Sequence, residues 1–160
     1  MSGSRDDRIT RSHRLFYRHD AAPLTEIDAG PLAGLRHRTV IDSRTGARGL
    51  ALWQEEHLPG FEVPFHLHDC EEIIAVLGGS ILAVIADRSF PVSRGESILI
   101  PAGVPHGFEV TGQAGCRLLA IFASPSPRIF RRDGTPTTPP WEGGASDHLE
   151  PDPTTSPRSH

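Results

Sequence analysis

The sequence predicts an all-β protein, a sandwich or a barrel built from many short strands. Short apolar runs recur through the middle of the chain, and Gly- and Pro-containing turn signals separate them at fairly regular spacing. Amphipathic helical periodicity is hard to find. The best helical stretch, residues 28–35, is interrupted by Gly30, Pro31 and Gly34. Together these observations favour strands over helices throughout the folded region.

The predicted strands share one form, a short run rich in apolar residues that ends at a turn. In chain order they lie in ARGLALWQE, EIIAVLGG, SILAVIADRSFPV (two strands joined at residues 86–88), ESILIPAGVPHGFEV (two strands around a Pro/Gly turn) and CRLLAIFASPSP. The segment FHLHDCEE precedes the second of these runs and also has strand character.

The chain length of 160 residues fits one domain with an irregular segment at each end. Residues 1–14 are polar and charged, and we expect a flexible N-terminal arm. Residues 15–129 contain all the predicted strands and form the predicted β-domain. Residues 130–160 are rich in Pro, Gly, Thr and Ser, and we expect a largely irregular tail. Trp141 is a large ring in that tail, able to dock on the domain or on a partner.

Composition narrows the classes of function. Hydrophobic residues make up 37% and charged residues 22%, as in ordinary globular proteins, and the net charge of −4 offers no basic surface for nucleic acid or an anionic membrane. Two cysteines give no disulfide framework. The N-terminus lacks the apolar core of a signal peptide, and no apolar run is long enough for a transmembrane helix. We therefore expect a cytoplasmic protein.

The absence of lysine narrows the chemistry further. All sixteen basic residues are arginines, so Schiff-base catalysis is excluded. Tyr17 is the one tyrosine, and it lies at the N-terminal edge of the predicted domain. Any catalytic role is thereby left to His, Glu, Asp, Cys or a metal ion.

Four side chains form a predicted metal site. His66 and His68 stand two residues apart in a strand, so their imidazoles project from the same face. Glu72 follows after a short turn that can return its carboxylate to the same ion, and His106 follows the Pro-Ala-Gly-Val-Pro turn and supplies a third imidazole. Three imidazoles and one carboxylate suit a divalent first-row metal such as Fe, Mn, Co, Ni, Cu or Zn better than Ca or Mg.

The spacing of these residues forms two strings. The first is G-x5-H-x-H-x3-E-x6-G over residues 60–79, and the second is G-x5-P-x-G-x2-H over residues 95–106. The pair closely resembles the two motifs of the cupin superfamily, and the resemblance covers residues 48–124, about half of the chain. One position departs from the pattern, since Val110 stands where the second motif commonly has Asn, a residue that is not a metal ligand in the family.

The cupin resemblance implies a jelly-roll β-barrel, commonly a homodimer, with one divalent metal held by His66, His68, Glu72 and His106. Such a set leaves two positions open on a six-coordinate ion, for a small-molecule substrate or for substrate and O2. The commonest assignment for short members with these ligands is a non-haem dioxygenase-like reaction, with Fe(II) favoured. A redox-neutral isomerase, cyclase or lyase using the metal as Lewis acid, and a non-catalytic binding protein, stay open as alternatives.

Residues beyond the four ligands carry weaker predictions. Glu55 and His57 are candidates for a base or for a contact that supports a ligand, and Arg117 is a candidate for meeting an anionic substrate. The large apolar side chains that can line the barrel are Trp53, Phe65, Phe108, Leu119 and Ile121.

Overall fold

The computed structural model describes residues 14–142. Within this range the chain forms short 3-10 turns, twelve strands and no α-helix. The strands are β1 (Thr25–Glu26), β2 (Arg36–Ile41), β3 (Ala51–His57), β4 (Glu62–His68), β5 (Glu72–Gly78), β6 (Ser80–Ile85), β7 (Arg88–Ser93), β8 (Ser97–Ile100), β9 (His106–Val110), β10 (Cys116–Phe122), β11 (Ile129–Arg131) and β12 (Pro136–Thr137). Apart from Arg14, the predicted arm lies outside the described residues, and so do residues 143–160 of the predicted tail.

The strands form two antiparallel six-stranded sheets, which confirms the all-β jelly-roll prediction. The first sheet has the order β1-β2-β3-β10-β5-β8 and the second the order β12-β11-β4-β9-β6-β7. Successive strands often belong to different sheets, as in the connections from β3 to β4 and from β4 to β5. Residues close in sequence therefore face each other across the interior. No helix among residues 14–142 has the length and apolarity needed to span a bilayer.

Each predicted strand run overlaps one of the observed strands or a pair of them. The predicted joint at residues 86–88 is the turn between β6 and β7, where Ala86 adopts a positive φ of 55°. The strands β1, β2, β11 and β12 lie outside the predicted runs. The stretch RHRTVI of β2 has four polar residues at its start, which hid its alternation. The predicted boundary between residues 129 and 130 falls inside β11.

The core lies between the sheets and follows from strict alternation in the central strands. Along β3 the side chains of Ala51, Trp53, Glu55 and His57 are buried, and those between them are less so. Along β10 the inward residues are Cys116, Leu118, Ala120 and Phe122. Because side chains alternate across a strand, this inner face is apolar except at Glu55 and His57 on β3. Those two polar residues mark where the interior stops being a simple core.

Candidate metal centre

Four polar side chains meet in the interior at the place where the sequence predicts a metal site. His66 and His68 project inward from β4, and the turn at residues 69–71 carries the chain into the opposite sheet, where Glu72 begins β5. In the antiparallel register His66 pairs with His106 at the start of β9, which brings in the third imidazole. The structure therefore brings together all four predicted ligands, three from one sheet and one from the other.

The ligand atoms of this cluster are close enough to share one ion. One nitrogen or oxygen from each of the four residues lies within 4.8 Å of all the others. Ligands on opposite sides of a first-row ion stand roughly 4 Å apart, so adjustments of less than about 1 Å would close the cage. The side chains of His68, Glu72 and His106 are nearly inaccessible to solvent, and His66 is half-buried.

Backbone carbonyls fix the tautomer of every imidazole in the cluster. Each ring donates its Nδ1–H to a carbonyl oxygen, which can only accept. The pairs are His66 with Pro64 (2.8 Å), His68 with Arg128 (2.9 Å) and His106 with Val104 (2.9 Å). Each Nε2 atom consequently carries a lone pair that is free to bind a metal, and such outer contacts orient metal-binding histidines.

The interior of the cluster lacks positive charge. Glu72 Oε2 lies 2.9 Å from His106 Nε2 and 3.5 Å from His68 Nε2. Neither Glu72 Oε2 nor His106 Nε2 has a hydrogen-bond partner among the described residues. Lone pairs thus face one another in a buried space, which costs free energy unless a cation lies between them. The donor set and its orphaned atoms fit a divalent transition metal.

His66 and His68 are held neutral, the form that binds metal. Burial, with smaller contributions from the neighbouring His106 and His68, lowers the pKa of His66 to about 3. Burial and the neighbouring His106 lower the pKa of His68 to about 4, although the hydrogen bond to the Arg128 carbonyl raises it. At neutral pH these imidazoles hold no extra proton that a metal must displace.

Gly107 allows β9 to approach β4 beside the cluster. A Cβ atom at this position would lie 2.6 Å from the carbonyl oxygen of Val63, which is closer than real contacts permit. The β4–β9 register shifts between Val63 and His66, so the missing side chain sits where the pairing is irregular. Glycine here keeps His106 at the distance from β4 that the cage requires.

A small cavity adjoins the cluster and reaches Glu55. Its volume is about 50 Å³, and its walls include Trp53, Phe108 and Trp141 as well as the four ligands. The ring of Trp141 stacks on His37 at a centroid distance of 3.8 Å and meets the edge of Trp53 at 5.3 Å. Trp141 therefore docks on the domain, and it forms part of the cavity wall.

Glu55 lies in this wall and is the centre of a buried hydrogen-bonded chain. The side chain of His37 donates to Glu55 Oε1 from Nδ1, and His57 donates to Glu55 Oε2 from Nε2, each at 3.1 Å. On its other side His37 Nε2 contacts Thr39 Oγ1 at 2.9 Å. Burial raises the pKa of Glu55, but the two imidazole donors outweigh burial and hold that pKa well below its usual range.

The other predicted residues divide between the cavity wall and positions away from the site. His57 is buried behind Glu55 and does not line the cavity. The structure does not bring Arg117 to the site, since it is exposed on the outer face of β10 while Leu118 points inward. Of the predicted lining residues, Trp53 and Phe108 contact the cavity. Phe65, Leu119 and Ile121 do not, because strand alternation turns them to the opposite face.

Several residues of the site escaped the sequence analysis. His37 and Thr39 are on β2, and their spacing of two residues within RHRTVI was the available signal. The Arg128 carbonyl immediately precedes β11, which pairs with β4 and matches Ile129 to His68. No side-chain motif marks a backbone carbonyl, so that contact has no sequence signal of its own.

Comparisons with known proteins agree with this fold. The family model described as "Cupin domain" matches residues 53–122. The chain is 33% identical to auxin-binding protein 1 of Arabidopsis thaliana over 107 residues, 61% of this chain and 54% of that protein. Among solved structures it is similar to the polyketide cyclase RemF from Streptomyces resistomycificus, with 33% identity, a TM-score of 0.58, and coverage of 66% of this chain and 75% of that one.

An oxalate oxidase structure is also similar, with 25% identity, a TM-score of 0.57, and coverage of 62% of this chain and 55% of that one. The chain spans only 54–60% of the length of the first curated relatives, which are all auxin-binding proteins.

Proposed function

This chain is a member of the cupin superfamily, and on that premise we propose that it is a metal-dependent enzyme that closes a ring in a small polyketide-like ketone without net oxidation. The observation that carries the metal dependence is the buried cluster of three Nε2 lone pairs and one carboxylate within 4.8 Å. The similarity to the polyketide cyclase RemF supports the cyclase reaction over the oxygenase reaction that the sequence analysis placed first.

The side chains of the cavity suit such a reaction. A divalent ion held by the four ligands would supply a Lewis acid for a ketone oxygen. Trp53, Phe108 and Trp141 offer aromatic faces on which a planar substrate can stack. At about 50 Å³ the cavity is too small for a fused-ring molecule, so Trp141 must leave its place on His37 for such a substrate to enter. Its return would exclude water from the reacting atoms.

Ring closure of this kind changes the mass of the product in a way that distinguishes it from oxidation by O2. An aldol closure forms one carbon–carbon bond, and the following dehydration releases water, so no electrons are lost and O2 is not consumed. The assay incubates the zinc-loaded and the metal-free protein with a linear aromatic polyketide, with and without O2. We expect metal-dependent formation of a product lighter by one water in both atmospheres. His66→Ala and Glu72→Ala should abolish it without unfolding the domain.

A non-haem oxygenase is the second candidate. It is supported by the two coordination positions that a 3-His-1-Glu set leaves open and by the similarity to an oxalate oxidase. The two candidates separate in one experiment with the iron-loaded protein and ¹⁸O2. Label in the product would replace the cyclase proposal with the oxygenase, and equal turnover by the metal-free protein would contradict both.

A further inference from the structure

We propose that Glu55 forms a second subsite of the cavity, a fixed anion that accepts a hydrogen bond from a ligand bound at the metal cluster and that weakens the binding of anionic ligands without such a donor. The subsite selects hydroxylated molecules of low negative charge. This inference rests on the proposed metal-dependent function, because the ligand is held at its other end by the metal.

The position of the Glu55 carboxylate is fixed from both sides. His37 and His57 each donate one ring N–H to a different carboxylate oxygen, and Thr39 braces His37 from behind. All three residues are on β2 and β3, adjacent strands of one sheet, and the register pairs His37 directly with Glu55. A carboxylate anchored in this way cannot turn aside when a ligand arrives, so its direction toward the cavity is built into the sheet.

The same carboxylate retains capacity for a further partner. Each carboxylate oxygen can accept two hydrogen bonds, and only one acceptor place on each oxygen is used by an imidazole. The side chain is 11% exposed, and it lines the cavity that contains the metal ligands. The unused acceptor places are the ones available to a donor in the cavity. The two N–H donors also keep the pKa of Glu55 below its usual range, so the group stays an anion at neutral pH.

Charge within the cavity explains the discrimination against anions. Three neutral imidazoles and the Glu72 carboxylate around a divalent ion leave one net positive charge. The Glu55 carboxylate in the same cavity balances that charge. A neutral hydroxylated ligand preserves the balance, whereas an anionic ligand adds a negative charge in a space with little water to screen it.

Glu55→Gln removes the charge while the hydrogen-bonded chain can persist. His57 donates to the amide oxygen of the new side chain. The amide NH2 donates to His37 Nδ1, and His37 then donates its Nε2–H to Thr39 Oγ1, which requires only a change of tautomer. The variant is therefore expected to fold and to retain metal. Glu56→Gln is the matched control, since Glu56 is the next residue on β3 and pairs with Arg36 at the surface.

The test measures binding of two probe types to the cobalt-loaded full chain through the visible absorption of the metal. The first probe is propanoate, and the second is a set of ω-hydroxycarboxylates of increasing chain length. In the unchanged protein we expect the best hydroxylated probe to bind about tenfold more tightly than propanoate, as a hydrogen bond to a charged acceptor gives. In Glu55→Gln that preference should shrink and propanoate should bind about tenfold more tightly, because the repulsion is gone.

The outcomes separate the inference from its premise. Unchanged affinities in Glu55→Gln, or an equal weakening of both probe types, would overturn the Glu55 subsite while leaving the metal centre intact. Failure of the unchanged protein to take up cobalt would overturn the proposed function and this inference with it. Glu56→Gln should match the unchanged protein with both probes.

Discussion

Replacing Glu72 by glutamine should affect the metal-free and the metal-loaded protein in opposite directions. In the metal-free protein Glu72 Oε2 faces the lone pair of His106 Nε2 at 2.9 Å, and neither atom has a hydrogen-bond partner in the described part of the chain. Glutamine has almost the same shape, and its amide NH2 can donate to that nitrogen. Satisfying a buried polar pair of this kind contributes about 1–3 kcal/mol.

The free-energy change expected for Glu72→Gln can be converted into a change in Tm. A gain of about 1–3 kcal/mol corresponds to a rise of roughly 4–12 °C in the Tm of the metal-free domain at this size. With metal at a thousand times its Kd, the unchanged protein gains about 4 kcal/mol. Loss of outer-shell partners already weakens metal sites by about 10–100-fold, and loss of a direct charged ligand should cost at least the upper figure, or about 2.7 kcal/mol. The gain of the metal-free variant does not add to its remaining metal stabilisation, because an ion on His106 Nε2 displaces the amide hydrogen bond to the same atom. In zinc the variant therefore stays below the gain of about 4 kcal/mol in the unchanged protein.

Calorimetric melting of both proteins, with chelator and with added zinc, checks this crossing of stabilities. Glu72→Gln should melt higher than the unchanged protein in chelator and lower in zinc. Glu71→Gln is the control, because Glu71 is next to Glu72 in the chain but its side chain is exposed and points away from the cluster. The reasoning is refuted if Glu72→Gln melts lower in both conditions by the same amount, or if zinc raises its Tm as far as that of the unchanged protein.

Three further predictions concern the surroundings of the cluster. Trp141→Ala should speed the transfer of bound metal to a chelator several-fold, followed by chelator absorbance, because the ring forms part of the wall that closes the cavity; an unchanged rate would contradict that role. Gly107→Ala should lower the free energy of unfolding in urea by about 1–3 kcal/mol and weaken metal binding. The reason is that the new Cβ would lie 2.6 Å from a carbonyl oxygen of β4. Gly49→Ala is the control and should be close to neutral, because a Cβ at that position has no atom within 4 Å. Metal-free protein should lose stability as pH falls from about 6.5 toward 3, because His66 and His68 have pKa values of about 3 and 4 when folded and 6.5 when unfolded. In this range the unfolded chain binds more protons than the folded one, so the free energy of unfolding falls by about 1.4 kcal/mol per pH unit for each histidine. A free energy of unfolding that stays constant across this range in urea titrations would count against neutral buried imidazoles.

The strands and the shared face of His66 and His68 could be predicted because both depend on short-range pattern. Alternation places His66 and His68 on one face of β4 whatever the rest of the chain does, and turn residues mark where the strands end. The burial of Trp53 follows from the same alternation along β3. Local spacing therefore carried these predictions without any knowledge of how the sheets pair.

What the sequence left open depends on contacts between distant strands. Glu55 was a weak candidate because its meaning comes from His37, eighteen residues earlier, which reaches it only through the β2–β3 register. Arg117 was a candidate because the sequence does not tell which face of β10 turns inward. The register and the bulge between Arg117 and Leu118 decide that orientation.

The division of the cluster between the sheets has a mechanical consequence. His66, His68 and His106 stand on one sheet and Glu72 on the other, so an ion bound to all four is a cross-link between the two halves of the jelly roll. Apolar contact alone lets two sheets slide a little against each other, whereas coordination bonds fix both the spacing and the shear. Loading with metal should therefore reduce the motion of the two sheets relative to each other at that end of the barrel. The far ends of β6 and β7 carry no ligand and should move as freely as before.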